Sequence, residues 1–149
     1  RNFMIEGVKL KKLTVHKTAS GSFREVLRND DKLLNEFGQS AIAVVNPEEI
    51  KAFHWHKKQD DVFHVVKGSA KVVLFDRRKN SKTFGNTDVF FMDENKAEIL
   101  FIPRGVAHGY QVLGEEPLVI LYFMNEIYNP DEPDEERIAF DSAEIGFKW

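Results

Sequence analysis

The chain contains no cysteine, and this absence removes several classes of function at once. Disulfide bonds, thiolate nucleophiles and cysteine-ligated metal centres are all excluded. Long apolar runs are missing as well, since none approaches the roughly 20 residues of a membrane-spanning helix, and no signal peptide is visible. We therefore expect a cytoplasmic protein that does not contact the membrane.

An excess of charge of either sign is also missing. The 21 Lys and Arg residues nearly balance the 24 Asp and Glu residues, so the net charge is −3. Such a balance gives no overall attraction for nucleic acid, and an anionic ligand would need a local cluster of basic side chains. A hydrophobic content of 42% and a length of 149 residues are ordinary for one folded unit. We expect a single domain over residues 1–149.

Helical periodicity is scarce, and short apolar segments recur between turn signals. A helix or helical turn is expected only over residues 30–37, ended by Gly38, and the acidic stretch 129–136 is interpreted as a solvated surface loop. Many short strands predict an all-β sandwich or barrel. The expected strand segments are 41–45, 50–55, 62–66, 70–75, 89–92, 99–102, 109–113 and 118–123.

Histidines and one aspartate form the main chemical pattern. His54 and His56 are two residues apart in an expected strand, so both project from one face. Asp61 follows after four residues, and His108 ends a Pro-x-Gly-x-x-His segment. Two inward histidines together with His108 indicate an active site. His64 has the opposite parity to Asp61 and is expected to be structural.

In this spacing the chain resembles the two cupin motifs, which implies a double-stranded β-helix, the cupin jelly-roll barrel. In metal-binding cupins the positions of His54, His56, Asp61 and His108 supply imidazole and carboxylate ligands, which suit Fe, Mn, Ni or Zn. The alternative is a polar barrel mouth without metal. We expect no metal and no cofactor, and a metal-containing dioxygenase or binding module stays as the rival interpretation.

Most of the chain resembles one branch of the cupins, the dTDP-4-dehydrorhamnose 3,5-epimerases. The resemblance implies an isomerase of deoxysugar and polysaccharide biosynthesis that acts on a nucleoside-diphosphate 4-keto-6-deoxyhexose. The segments that carry it are Asn-Ser-Lys-Thr-Phe-Gly at 80–85, Ile-Pro-Arg-Gly-Val-Ala-His-Gly-Tyr at 102–110, Tyr122, Tyr128-Asn129-Pro130, 138–141 and 145–149, with Gly21, Phe23 and Glu25 near the start.

The resemblance also implies catalytic roles. His54 takes the position of the general base, which removes a proton next to the 4-keto group, and histidine titrates in the range that this step requires. Tyr122 takes the position of the tyrosine that reprotonates the opposite face, Tyr128 lies near the sugar, and His108 lines the pocket. Lys51 stands where the family has an arginine. Because Lys51 precedes His54 by three residues, a loop or a bulge would be needed to bring both side chains to one pocket.

Nucleotide contacts are implied for three further residues. Phe23, Glu25 and Arg78 are the candidates for nucleotide contacts, and a solvated turn is the alternative for Arg78. The turn that carries Phe23 and Glu25 reaches into a neighbouring subunit there, so the resemblance implies a homodimer.

Two positions differ from the family pattern. Asp61, which we place with His56 among the substrate-binding residues, replaces a family lysine that stabilises the enolate. The family aspartate that orients the base lies beyond the segment ending at Trp149. We therefore expect Asp61 or a backbone carbonyl to orient the His54 ring.

A second branch shares the histidine strand. Phe-His-Trp-His-Lys-Lys at residues 53–58 is similar to the His-Ala-His-Lys-Lys element of dTDP-sugar 3,4-ketoisomerases. Both branches begin with proton removal alpha to the sugar ketone. The epimerase is the reading we prefer, and the ketoisomerase stays open as the alternative.

Overall fold

The computed structural model describes residues 4–149, which form twelve strands and one short 3₁₀ helix, Asn29–Asp31. Each of the eight expected strand segments coincides with a strand within a few residues, and β5 has the expected bounds. The strands are β1 Lys9–Lys12, β2 His16–Thr18, β3 Gly21–Phe23, β4 Gln39–Val45, β5 Ile50–Trp55, β6 Asp61–Lys67, β7 Ser69–Asp76, β8 Thr87–Asp93, β9 Glu98–Ile102, β10 Val106–Leu113, β11 Leu118–Met124 and β12 Glu136–Arg137.

Two antiparallel sheets build the barrel. One has the order β1-β9-β6-β11-β4 and the other β12-β5-β10-β7-β8, while β2 and β3 form a separate hairpin. The main core lies between the sheets, because its buried side chains come from both, for example Val65 and Ile120 from one and Val72 and Leu74 from the other. This is the expected jelly-roll architecture of the cupins.

Strand β7 shows why some apolar runs are continuous rather than alternating. Val72 and Leu74 point into the main core, whereas Val73 and Phe75 pack on the outer face against Phe53. Trp149 packs against the outer cluster, with its ring tilted to that of Phe53 and the two ring centroids 5.5 Å apart. Because both faces of β7 are buried, both need apolar residues.

The expected helix over 30–37 was wrong beyond its first residues. Lys32 adopts a left-handed conformation with φ of 55°, which ends the helical turn. Leu33 and Leu34 instead pack against the buried Val62 and Ile99. Burial of two consecutive leucines against the sheet outweighs the weak local helix preference. Over residues 4–149, no helix has the length and apolarity that crossing a membrane requires.

Candidate active site

A cavity of about 560 Å³ lies at one end of the barrel, within the size range of small-molecule sites. Strands of both sheets line it, together with the segment that follows β11. Seven of the ten expected site residues lie on its wall: Lys51, His54, His56, Asp61, His108, Tyr122 and Tyr128.

A bulge in β5 brings Lys51 into this set. His54 pairs with His108 and Lys51 pairs with Tyr110, so three steps along β5 match two steps along β10. Gly109 permits the close approach, because a Cβ there would lie 2.3 Å from the Cβ of Ala52. The extra residue reverses the alternation of β5, so the prediction of a loop or a bulge is confirmed.

Asp61 lies at the centre of a buried polar cluster. Its Oδ2 is 3.3 Å from His56 Nε2 and 3.5 Å from His108 Nε2. The other nitrogen of each ring faces a backbone carbonyl, His56 Nδ1 at 2.5 Å from Asp134 O and His108 Nδ1 at 3.1 Å from Val106 O. A carbonyl can only accept, so both Nδ1 atoms carry protons. In the neutral rings the Nε2 lone pairs would both face the carboxylate.

The pKa values of the two histidines in this cluster are shifted in opposite directions. Burial lowers the pKa of His108 to about 4, so this ring is neutral. Burial also acts to lower the pKa of His56, but the contact with Asp61 and its charge outweigh burial and raise the pKa above the usual value. The cluster thus favours an imidazolium at His56, beside a carboxylate and a neutral ring.

Three of the four cupin ligand positions could hold a cation. The ligand atoms of His56, Asp61 and His108 lie within 4.8 Å of one another, and two imidazoles with one carboxylate suit a divalent transition metal. His54 stands outside this group, so the four-residue set of the metal-binding cupins is not assembled.

His54 faces a different carboxylate from the expected one. Its Nδ1 lies 3.3 Å from Glu135 Oε1. The expectation of Asp61 or a backbone carbonyl was therefore wrong. Burial lowers the pKa of His54, and the charge of Glu135 opposes this effect. A lowered pKa keeps the ring neutral at physiological pH, which is the form that accepts a proton.

The acidic stretch after β11 is an exposed surface loop up to β12, as expected, with only Asp134 half-buried, and it also borders the cavity. We call residues 129–135 the acidic strap, because they contribute Asn129, Glu132, Asp134 and Glu135 to the cavity wall. The Asp134 carboxylate accepts backbone hydrogen bonds of 2.8–3.0 Å from residues 57, 58 and 59. Burial opposes ionisation of Asp134, but these three bonds lower its pKa. The sequence has no local signal for this contact.

Two tyrosines, Tyr110 and Tyr122, also line the cavity. Burial raises the pKa of Tyr122, as do the charges of Asp61 and Glu135, so its hydroxyl keeps its proton near neutral pH. Burial raises the pKa of Tyr110, which the sequence did not single out, to about 12. Both rings meet Phe63 edge-on, with centroids at 6.0 Å for Tyr122 and 6.5 Å for Tyr110.

Three expected nucleotide contacts lie away from the cavity wall of this chain. Phe23 is 64% exposed on the β2–β3 hairpin, and Glu25 pairs with Arg28 at 2.9 Å. The Arg78 guanidinium is held by the buried carboxylate of Asp76 at 2.9 Å. Within one chain, Arg78 therefore forms an ion pair with Asp76 and does not line the cavity.

Comparison with known proteins agrees with this geometry. The family described as dTDP-4-dehydrorhamnose 3,5-epimerase matches residues 2–149. The chain belongs to this family. The predicted cupin fold and the predicted class of enzyme, an isomerase of the sugar-nucleotide epimerase type, are both confirmed.

Individual relatives cover nearly the whole chain. The spore coat polysaccharide biosynthesis protein SpsL of Bacillus subtilis is 53% identical over 98% of this chain and 97% of its own length. The dTDP sugar isomerase of Desulfovibrio desulfuricans superposes with a TM-score of 0.90 at 27% identity, covering 97% of this chain and 92% of that one. The fold is shared too by a 3,5-epimerase of Legionella pneumophila in complex with dTDP-4-keto-L-rhamnose, with TM-score 0.88, 21% identity, and coverage of 99% and 81%.

Proposed function

We propose that this enzyme epimerises a dTDP-4-keto-6-deoxyhexose, with His54 as the base and Tyr122 as the acid. One observation carries the proposal. His54 lies on β5 of one sheet and Tyr122 on β11 of the other, so the two side chains reach the cavity from different walls. A neutral imidazole and a protonated phenol on different sides of one cavity can remove a proton from one face of a carbon and return one to the other.

Each step balances within the site. His54 takes the proton alpha to the ketone, and the electrons of the C–H bond move to the carbonyl oxygen as an enolate. When the enolate collapses, the carbon takes the Tyr122 proton, and solvent then restores both side chains. The enolate needs positive charge nearby, and His56 and Lys51 on the cavity wall can supply it.

Deuterium exchange tests this proposal directly. The protein is incubated with dTDP-4-keto-6-deoxyglucose in deuterated water, and label is read at C3 and C5 by NMR. We expect exchange at C3, and we expect His54→Asn to reduce it on the order of 10²–10⁴-fold while folding and nucleotide binding persist. Full exchange in His54→Asn would contradict the assignment of the base. A ketone that moves to C3 in the product would instead identify a 3,4-ketoisomerase.

The cluster of His56, Asp61 and His108 favours a second candidate, a metal-containing cupin. We propose that the epimerase works without metal, because His56 lies 3.3 Å from Asp61, which raises the pKa of the ring and favours its protonated form beside the carboxylate. Elemental analysis of protein purified without chelator distinguishes the two. Stoichiometric metal, with ligands at about 2.0–2.2 Å from three of these groups, would favour the second candidate.

The expected homodimer also stays a proposal. Ile42 and Val44 project outward from β4 and are 65% and 68% exposed, and Phe23 on the β2–β3 hairpin is 64% exposed. Adjacent exposed apolar side chains of this kind mark an interaction surface. Light scattering should give about twice the chain mass of 17.2 kDa, and a strict monomer at micromolar concentration would contradict the dimer.

A further inference from the structure

We propose that Glu135 is the residue that positions His54 for proton abstraction, an inference that rests on the proposed role of His54 as base. Glu135 would accept the Nδ1–H of the ring and so leave the lone pair on Nε2. The acidic strap would thus be part of the catalytic apparatus rather than a cover over the substrate.

The first support is the state of the His54 ring. Its Nδ1 is buried, and within residues 4–149 no hydrogen-bond partner is aligned with it. A buried N–H without a partner costs on the order of 1–3 kcal/mol. The nearest carboxylate oxygen, Glu135 Oε1, lies at 3.3 Å, and the Glu135 side chain keeps 34% of its exposure, which leaves room for rotation into line. Catalytic hydrogen bonds are often loose before substrate binds.

The second support is the backbone that carries Glu135. Directly before it, Asp134 is clamped to the turn after β5 by three backbone hydrogen bonds. Directly after it, β12 pairs with β5 in a register that sets Arg137 opposite His54. The ladder continues with two bonds between residues 138 and 53, at 2.8 and 3.0 Å. Glu135 is therefore held beside the base from both sides, unlike a surface glutamate on a free loop.

The third support is that the two oxygens of the Glu135 carboxylate face different partners. Oε1 faces His54, while Oε2 accepts a hydrogen bond from Arg137 at 3.2 Å. Arg137 is largely exposed, so the pair adds little stability. Its effect is geometric, since it occupies one oxygen and presents the other to the ring.

The test compares Glu135→Ala with Glu136→Ala, a matched control on the next residue, whose carboxylate pairs with Lys57 at 3.6 Å and does not line the cavity. Nitrogen NMR of ¹⁵N-histidine-labelled, substrate-free protein reads which His54 nitrogen carries the proton. We expect the Nδ1–H form in the wild type and in Glu136→Ala, and a mixture of tautomers in Glu135→Ala.

Kinetics supply the second arm. We expect Glu135→Ala to lower kcat for C3 exchange on the order of 10²-fold with little change in KM, as for a misplaced catalytic group, and Glu135→Gln, which retains an acceptor oxygen, to recover part of the loss. Unchanged His54 resonances in Glu135→Ala would overturn the inference. So would a kcat loss no larger than that of Glu136→Ala. If the wild type showed no exchange, the proposed function would fail, but the NMR arm would still decide whether Glu135 orients the ring.

Discussion

Asp76 and Asp61 are both buried in this barrel, and they differ in how far their hydrogen-bonding capacity is filled. Asp76, at the end of β7, accepts bonds from Arg78 Nε at 2.9 Å and from the hydroxyls of Ser81 and Thr83 at 2.6 Å each. Asp61, at the start of β6, accepts one short bond from Gln59, at 2.9 Å. Its remaining neighbours are the two imidazole nitrogens at 3.3 and 3.5 Å.

The difference separates stability from chemistry. A buried carboxylate with aligned donors on both oxygens fixes the turn that it joins, and it has no capacity left for a ligand. A buried carboxylate with loose contacts, beside a cavity, can respond to a substrate or to a proton. The network of Asp76, Arg78, Ser81 and Thr83 thus belongs to the fold, and the cluster of Asp61 belongs to the site.

The largest effect is expected for Asp76→Asn. Removing the charge leaves Arg78 without its partner and weakens two hydroxyl bonds, so the free energy of unfolding should fall by about 3–4 kcal/mol. Urea denaturation measures this loss, with the exposed Asp141→Asn as control. Activity per folded molecule should stay at the wild-type value. An unchanged free energy of unfolding would mean that Asp76 contributes no more to stability than Asp61 does.

Acid should destabilise the two regions in separate pH windows. The folded pKa of His108, about 4, lies below its ordinary value of 6.5, so its contribution is complete above pH 6.5 and is lost as pH falls through 4, about 3 kcal/mol in all. The pKa of Asp76, lowered from 3.8 to about 2 by Arg78, Ser81 and Thr83 against the effect of burial, gives about 2 kcal/mol that is lost below pH 3.8.

Denaturation curves at a series of pH values separate these contributions. His108→Asn should flatten the stability profile between pH 6.5 and 4, and leave the steeper loss at lower pH. Asp76→Asn should do the opposite. If a single variant removed the loss of stability in both pH ranges, the titrations of His108 and Asp76 would be coupled. The two regions would then not be independent.

Asp61→Asn should show the reverse balance of stability and activity. The asparagine amide can donate to an Nε2 lone pair, so we expect the free energy of unfolding to change by less than about 1 kcal/mol. The pKa of His56 should fall without the Asp61 charge, and the enolate then loses one of the two cations that we propose for it, His56 and Lys51. C3 exchange should then drop at least about tenfold, which corresponds to 1.4 kcal/mol in the barrier. A large loss of stability would show that Asp61, like Asp76, mainly stabilises the fold.

The sequence predicted the part of the site that lies in local motifs. The alternation of β5 gave His54 and His56 a common face, and the motif spacing added Asp61 and His108. Glu135 was missed because its position depends on the pairing of β12 with β5, about 80 residues apart in the chain. A strand of two residues, such as β12, is too short to show an alternating pattern in the sequence. The same non-local packing explains the helix wrongly expected over 30–37, where contacts with the sheet outweigh local preference.

The smallest effect is expected for His64, which tests whether burial alone makes a histidine part of the site. His64 is 2% exposed, and its Nδ1 donates to Glu98 O at 2.8 Å, joining β6 to β9. Burial lowers its pKa, so the ring is neutral like that of His54. Unlike His54, it does not line the cavity.

A pair of substitutions separates the hydrogen bond from the ring. The Asn amide can reproduce the Nδ1–H donor, so His64→Asn should stay within about 0.5 kcal/mol of the wild type, whereas His64→Leu should lose about 1–2 kcal/mol because the Glu98 carbonyl is left without this bond. Deuterium exchange at C3 should be unchanged in both. If either variant lowered exchange tenfold while remaining folded, buried histidines outside the cavity would also contribute to the chemistry. A filled hydrogen-bonding capacity would then not distinguish structural residues from residues of the active site.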